Sequence, residues 1–535
     1  MLRCRIEALV FGVLMAGVSG SWSAEPITEQ ALAAKIDGHI AAPWKSSRVQ
    51  PAAPADDAEF LRRISLDLIG RIPSATEARD FINDKSPDKR RRVVERLLKH
   101  PSYVEHFTTT WRHLLLPETD GNGEVQGQLN AFNAWLRKQI AENIAYDRMV
   151  RELLTVPFGT ERLRGRGKAA REEQPGAPSP LAFYLAKEGK PENLAASTAQ
   201  LFLGVRLECA QCHDHPTAEW TRQKFWNLAA FFAGLERSRG DQGGAIREVF
   251  DRRELLIPGT TRVVEASFLD DSVPQWKFDT TARATLAEWM TAPSNRFFAR
   301  AAVNRLWAHF FGIGLVEPVD DLLPTNPPSH PELLDDLADQ FVAHRFDVQF
   351  LIRAITLSKA YHLSSAGSGP GAPDLRLFTR MAVRRLTPEQ LYDSLVLATG
   401  YRDPPPSRGQ PAQAPPQSAA RAEFLNKFAD ATPQRAEALM SIPQALMLMN
   451  GSFVADATTL KKGRTLTAVN DDVSLNTAGR VESLFLATLS RKPTREESAR
   501  LVRYVDKGSH GKERKAALAD VFWALLNSPE FILNH

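Results

Sequence analysis

Apolar residues recur along most of this chain at steps of three and four, the spacing that places them on one side of an α-helix. The pattern is clear at Phe60, Leu61, Ile64 and Leu68, and again at Val93, Val94, Leu97 and Leu98. It returns at Leu286, Trp289, Met290, Phe297, Phe298, Val303, Leu306, Trp307 and Phe310. Residues 28–44, 132–140 and 193–203 predict further helices with one apolar face. Helix-start signals punctuate these stretches. Ser74-x-x-Glu77 and Ser102-x-x-Glu105 have the spacing of a capping box, in which a hydroxyl and a carboxylate satisfy each other's exposed N–H groups. Ser86-Pro87 starts a helix with proline where its missing N–H costs nothing. Ser329 to Glu332 and Thr387-Pro388-Glu389-Gln390 read as later capped starts, and Gly312 and Gly314 end the helix before them.

The pattern changes at residues 245–278. Val249-Phe250, Leu255-Leu256-Ile257 and Thr261-Arg262-Val263-Val264, with a turn at Pro258-Gly259, predict short strands. The predicted fold is therefore mainly α, with two packed helical domains at 28–240 and 279–535 joined by a short β-containing bridge at 241–278. Polar or Pro/Gly-rich stretches at 159–180, 366–373 and 404–417 read as loops or extended linkers. One internal repeat stands out. Leu68-Ile69-Gly70-Arg71-Ile72-Pro73-Ser74-Ala75-Thr76-Glu77 matches Thr488-Leu489-Ser490-Arg491-Lys492-Pro493-Thr494-Arg495-Glu496-Glu497, and Leu97 to Tyr103 parallels Leu525 to Phe531. A helical hairpin used at both ends of the molecule accounts for it.

Composition narrows the class without choosing a chemistry. Of 535 residues, 43% are hydrophobic and 24% charged, and the formal net charge is only +4. No Lys/Arg run forms a nucleic-acid-binding arm, so neither DNA nor RNA is expected as a partner. Arg3 and Arg5 followed by an apolar run from Ala8 to Val18 form a secretory signal, with Ser21-Trp22-Ser23 as the cleavage site. Residues 1–23 are thus expected to be removed and the protein exported to a periplasmic or extracellular space. No later stretch reaches the roughly 18 apolar residues of a transmembrane helix.

Cleavage would take Cys4 with it and leave two cysteines, both in Cys209-Ala210-Gln211-Cys212-His213-Asp214-His215. Cys-x-x-Cys-His is the attachment signal of a c-type haem. Residues three and four apart share a face of a helical turn, so two thiols can reach the vinyl groups while His213 reaches the iron. This reading makes Cys209, Cys212 and His213 the cofactor-binding residues and the chain an electron carrier with a redox partner. A second reading takes the cysteines with His213 and His215 as donors to a zinc ion. A third has a local disulfide or a dithiol with no cofactor, in a non-catalytic secreted scaffold that binds an extracellular polymer or a partner. The aromatic run Trp220, Phe225, Trp226, Phe231 and Phe232 is read as core, though it could also wall a flat cofactor.

Other candidates are weaker. Met440, Met447 and Met449 lie in an apolar helical stretch and read as gap-filling core rather than as a distal ligand. His309 reads as a satisfied core histidine and His330 as part of a proline-rich turn. His100 and His113 are placed at helix ends where a partial positive charge suits the dipole. Asp320-Asp321 and Asp335-Asp336 are adjacent carboxylates, which diverge on a helix and make poor acid/base pairs. There is no Gly-rich phosphate loop and no serine nucleophile elbow.

Three sets of residues carry a family resemblance. In the N-terminal half, from about Ala31 to Leu235, they are Leu61 to Gly70, Leu203 to Pro216 and Ala229 to Phe232. From about Asp279 onward they are Asn304 to His309, Asn326 to Leu334 and Trp523 to Phe531. On these the chain resembles the two-part secreted proteins abundant in planctomycetes, which join a cytochrome-c-like domain of unknown function to a C-terminal companion domain. The resemblance implies a two-domain exported protein whose biochemical role is unassigned. It departs at Leu114 to Gly127 and in the short bridge.

Overall fold

A computed structural model describes residues 24–117, 123–161, 177–216, 218–237, 246–366, 374–402, 419–428, 442–459, 463–507 and 511–535. The expected signal segment, most of the 159–180 loop, the 404–417 stretch and Met440 lie outside them. Helices dominate, as the spacing of apolar residues predicts. Among the described residues, no helix is long and apolar enough to cross a membrane.

The apolar faces assemble into two cores. The first runs from Leu32 to Met381 and includes Leu486; the second is built from Leu386 to Phe531 with Leu66 and Ile72. The first helix, Glu29–Ser47, packs on Pro331–Ala343 and Val348–Leu357, so residues from both sides of the bridge share one interior. Gln340 grips the chain just before that helix, accepting from Ile27 N at 3.0 Å and donating to Glu25 O at 3.1 Å. Phe225, Trp226, Phe231 and Phe232 are buried as expected, and Trp220 is half-buried.

Short strands lie in the bridge and just before it. Leu235–Arg237 and Ile246–Val249 pair antiparallel, and Glu254–Leu256 pairs antiparallel with Val263–Glu265. Gly159–Glu161, expected as loop, adds a parallel strand beside Ile246–Val249. A buried ion pair fixes this small sheet: Arg283 Nε donates to Glu248 at 2.8 Å, and its Nη1 donates to Leu154 O at 2.8 Å.

The capping box expected at Ser74/Glu77 forms, and the capped start expected at Thr387 is also a capping box, closed by Gln390. Three other helix starts differ from expectation. Lys89–Leu98 begins after Asp88, two residues past Ser86-Pro87, where Ser86 N instead bonds Asp84 at 2.8 Å. In Pro101–Leu115 the proline takes the first helical position, which moves the cap from Ser102 to His100. His100 Nδ1 accepts from Ser102 N at 3.0 Å. A ring nitrogen that accepts there cannot carry a proton, and burial and Arg71 hold the His100 pKa below its ordinary value. His100 is therefore a neutral cap at an N-terminus, the end where a positive charge would be disfavoured. Pro331–Ala343 likewise starts at its proline after His330, while Ser329 bonds Leu315 O at 3.1 Å.

Candidate functional site

Helix Pro191–Thr198 runs into a wide π turn, Ala199–Leu203, which stops at Gly204 in the left-handed region (φ +66°). That φ favours glycine, and a Cβ would lie 2.7 Å from Leu322 Cδ1, so another residue would have to push that side chain aside. Leu207 and Ala210 are buried and pin the next turn, Glu208–Gln211, which is a 3₁₀ helix. Cys209 lies in this turn and Cys212 caps its end; both are exposed, free thiols.

His213 follows, also exposed. Its Nδ1 lies 2.8 Å from Asp214 O. A carbonyl oxygen can only accept, so Nδ1 carries the proton and Nε2 keeps its lone pair. Downstream, the turn is tied to helix Arg222–Ala229. Asp214 accepts from Arg222 N at 2.7 Å, His215 N donates to Trp220 O at 2.8 Å, and Trp226 Nε1 donates to Gln211 O at 3.0 Å. The Trp220 ring meets Phe297 edge-on at 6.5 Å; Phe297 is 39% exposed.

Upstream, the turn is tied to the second half of the chain, which sequence reasoning missed. Arg305 Nη2 donates to Gln200 O at 3.4 Å and Leu201 O at 3.2 Å, two carbonyls of the π turn. Asp320 accepts from Gln200 Nε2 at 2.6 Å and from Arg206 at 2.9 and 2.6 Å. Leu322 N donates to Gly204 O at 2.8 Å. These partners lie more than a hundred positions away in sequence, and no local pattern pairs them.

The donor types are those a c-type haem uses: two free thiols three residues apart, then an imidazole whose Nδ1 is engaged and whose Nε2 is left to bind. Among the described residues, no three His, Cys, Asp or Glu side chains are grouped to hold a metal ion, and His215 is not gathered with the cysteines. Met447 is half-buried beside the second core, while Met449 is 45% exposed rather than core. His309 Nε2 is satisfied by Asp67 O at 2.9 Å. Asp320, Asp335 and Asp336 are held by Arg206, Arg300 and Lys35, respectively.

Residues 35–237 match the family described as PSCyt2, protein of unknown function (DUF1549), and residues 282–436 match PSD1, protein of unknown function (DUF1553). The comparisons with curated proteins and with solved structures give no match. The first match contains the cysteine turn, the second contains Arg305 and Asp320, and the C-terminal copy of the hairpin lies beyond both. The two matches follow one another along the chain in the order its sequence resemblance implies.

Proposed function

We propose that this chain is an exported electron carrier that binds one c-type haem through Cys209, Cys212 and His213. The observation that carries the reading is a pair of exposed, free thiols three residues apart, followed by a histidine whose Nδ1 is already engaged. Each thiol would add across one vinyl group, its sulfur bonding one carbon and its hydrogen passing to the other, with no change in oxidation state. His213 would offer Nε2 to the iron, and the Nδ1–H bond to Asp214 O fixes the ring. Bound haem supplies a one-electron iron couple. The expected signal at residues 1–23 agrees with attachment outside the cytoplasm.

A second reading, a secreted interaction scaffold without cofactor, draws on the bridge. Leu256 and Val263, opposite each other in the hairpin, are each 55% exposed, and Phe278 is 99% exposed.

The test is production of the full chain, signal included, in a host with c-type maturation machinery. A Soret band that survives denaturation and acid–acetone extraction, and that is lost in Cys209→Ser/Cys212→Ser, is the expected result. His213→Ala should keep the covalent band but shift its spectrum. Colourless protein from that host overturns the reading and leaves the scaffold.

A further inference from the structure

We propose that Arg305 and Asp320, from the second half of the chain, are positioning residues that hold the Cys209–Cys212 turn in its open dithiol geometry. The inference deepens the proposed use of the turn but does not need haem to be tested.

A π turn widens the helix and leaves carbonyls without their usual partners. In Ala199–Leu203 two of these, Gln200 O and Leu201 O, are capped by one guanidinium, Arg305. Asp320 then spans the end of the turn, taking Gln200 on one oxygen and Arg206 on the other. Gly204 is pressed against Leu322 and bonded to its N–H. Gln200, Leu201, Gly204 and Arg206 are thus each held from the second half of the chain, and Cys209 comes three residues after Arg206. Past the cysteines the hold changes to helix Arg222–Ala229 through Gln211 and Asp214. The turn is suspended between two anchors, one in each matched domain.

This arrangement predicts coupling. A turn held at both ends keeps its sulfurs where the fold puts them; a turn released at one end can twist until they bond, because a disulfide demands a specific separation and dihedral. In the exchange, one glutathione disulfide takes two electrons and two protons from the dithiol, leaving one internal disulfide and two glutathione thiols.

The experiment uses the full chain made without haem, equilibrated in glutathione buffers, with the internal disulfide read by mass after alkylation. Asp320→Asn and Arg305→Met should each raise the equilibrium constant for disulfide formation about tenfold, a fall of about 30 mV in potential. Arg305→Lys, which can still reach one carbonyl, should restore most of the wild-type value. Arg353→Gln, which breaks the distant pair with Glu95, should leave it unchanged. Because Arg305→Met may lose its fold, Asp320→Asn, with thermal unfolding as control, decides the matter. A folded Asp320→Asn protein whose constant rises less than about threefold overturns the inference. Absence of haem in matured protein would sink the electron-carrier reading and leave this result standing.

Discussion

Helix Asp57–Ile69 and helix Thr477–Thr488 open two copies of the same hairpin, and their turns repeat bond for bond. Each is followed by a residue at positive φ, Gly70 at +67° after the first and Ser490 at +60° after the second. An arginine comes next and donates to the following carbonyl, Arg71 to Ile72 O at 3.2 Å and Arg491 to Lys492 O at 3.1 Å. Then comes the cap: Ser74 N donates to Glu77 at 2.9 Å and Thr494 N to Glu497 at 2.7 Å. The first helices share none of their polar chemistry. Arg62, Arg63 and Asp67 are buried, where the second copy has Glu482, Ser483 and Ala487 in register. Arg62 donates to Thr488 O at 3.0 Å and Phe531 O at 2.7 Å, so the first copy holds the backbone of the second. Asp67 accepts from Tyr361, Arg384 and Asn534 at 2.7, 2.7 and 2.8 Å, joining the first core to the C-terminal tail. Turn chemistry makes the hairpin; three buried polar side chains make one copy the hub.

The largest break in this comparison is Asp67→Ala. It strands the Arg384 guanidinium, whose side chain is only 15% exposed, and should cost about 3–5 kcal/mol. The matching change in the other copy, Ala487→Gly, removes no bond and should cost about 1 kcal/mol. Urea unfolding of both variants decides it; equal losses would mean that Asp67 joins nothing.

Next comes the glycine. A Cβ on Gly70 would sit 2.5 Å from His106 Nδ1, and the His106 ring is enclosed enough that burial pulls its pKa down to about 3. Gly70→Ala adds left-handed strain to that overlap and should cost about 2–3 kcal/mol by thermal unfolding.

These two positions show what a single sequence can and cannot reveal. The hairpin repeat, the Ser74 box and the spacing of Phe60, Ile64 and Leu68 are local, so they were legible. The cysteine turn was legible as a motif, because its two cysteines and histidine are neighbours in sequence. The jobs of Asp67, Arg305 and Asp320 were not. Each is one charged residue in a helical or loop stretch, and its partners arrive from elsewhere in the chain. His100 was misplaced for a local reason: the proline after it could take the first helical position, and that decided which residue became the cap.

The caps should behave alike. Ser74→Ala and Thr494→Ala should each cost about 1 kcal/mol. Acid should separate them. Hydrogen bonds from Arg491, above all, hold Glu497 at about 2, against an ordinary 4.5. Burial works to raise Glu77, but bonds from Ser74 and the nearby Arg71 and Arg96 bring it below its ordinary value. A carboxyl depressed in the folded state gives stability that is present above its unfolded pKa and lost as pH falls towards the folded one. Wild-type protein should therefore lose melting temperature between pH 4.5 and about 2 more steeply than Glu497→Gln. A parallel pair of curves would mean that the Arg491 bridge adds nothing.

The smallest effect has the opposite sign. Ser490 holds a left-handed φ without being glycine, and its buried hydroxyl has no hydrogen-bond partner among the described residues. Ser490→Gly relieves the backbone and removes the unpaired hydroxyl, while giving the unfolded chain more freedom to lose. The first two outweigh the third, so the variant should gain up to about 1 kcal/mol in thermal unfolding. Gly70→Ala and Ser490→Gly would then move stability in opposite directions at equivalent turns. That outcome requires that the two turns share one backbone conformation and differ only in what presses on it. A loss in Ser490→Gly would instead mean that the serine side chain holds the second turn in a way its buried hydroxyl does not reveal.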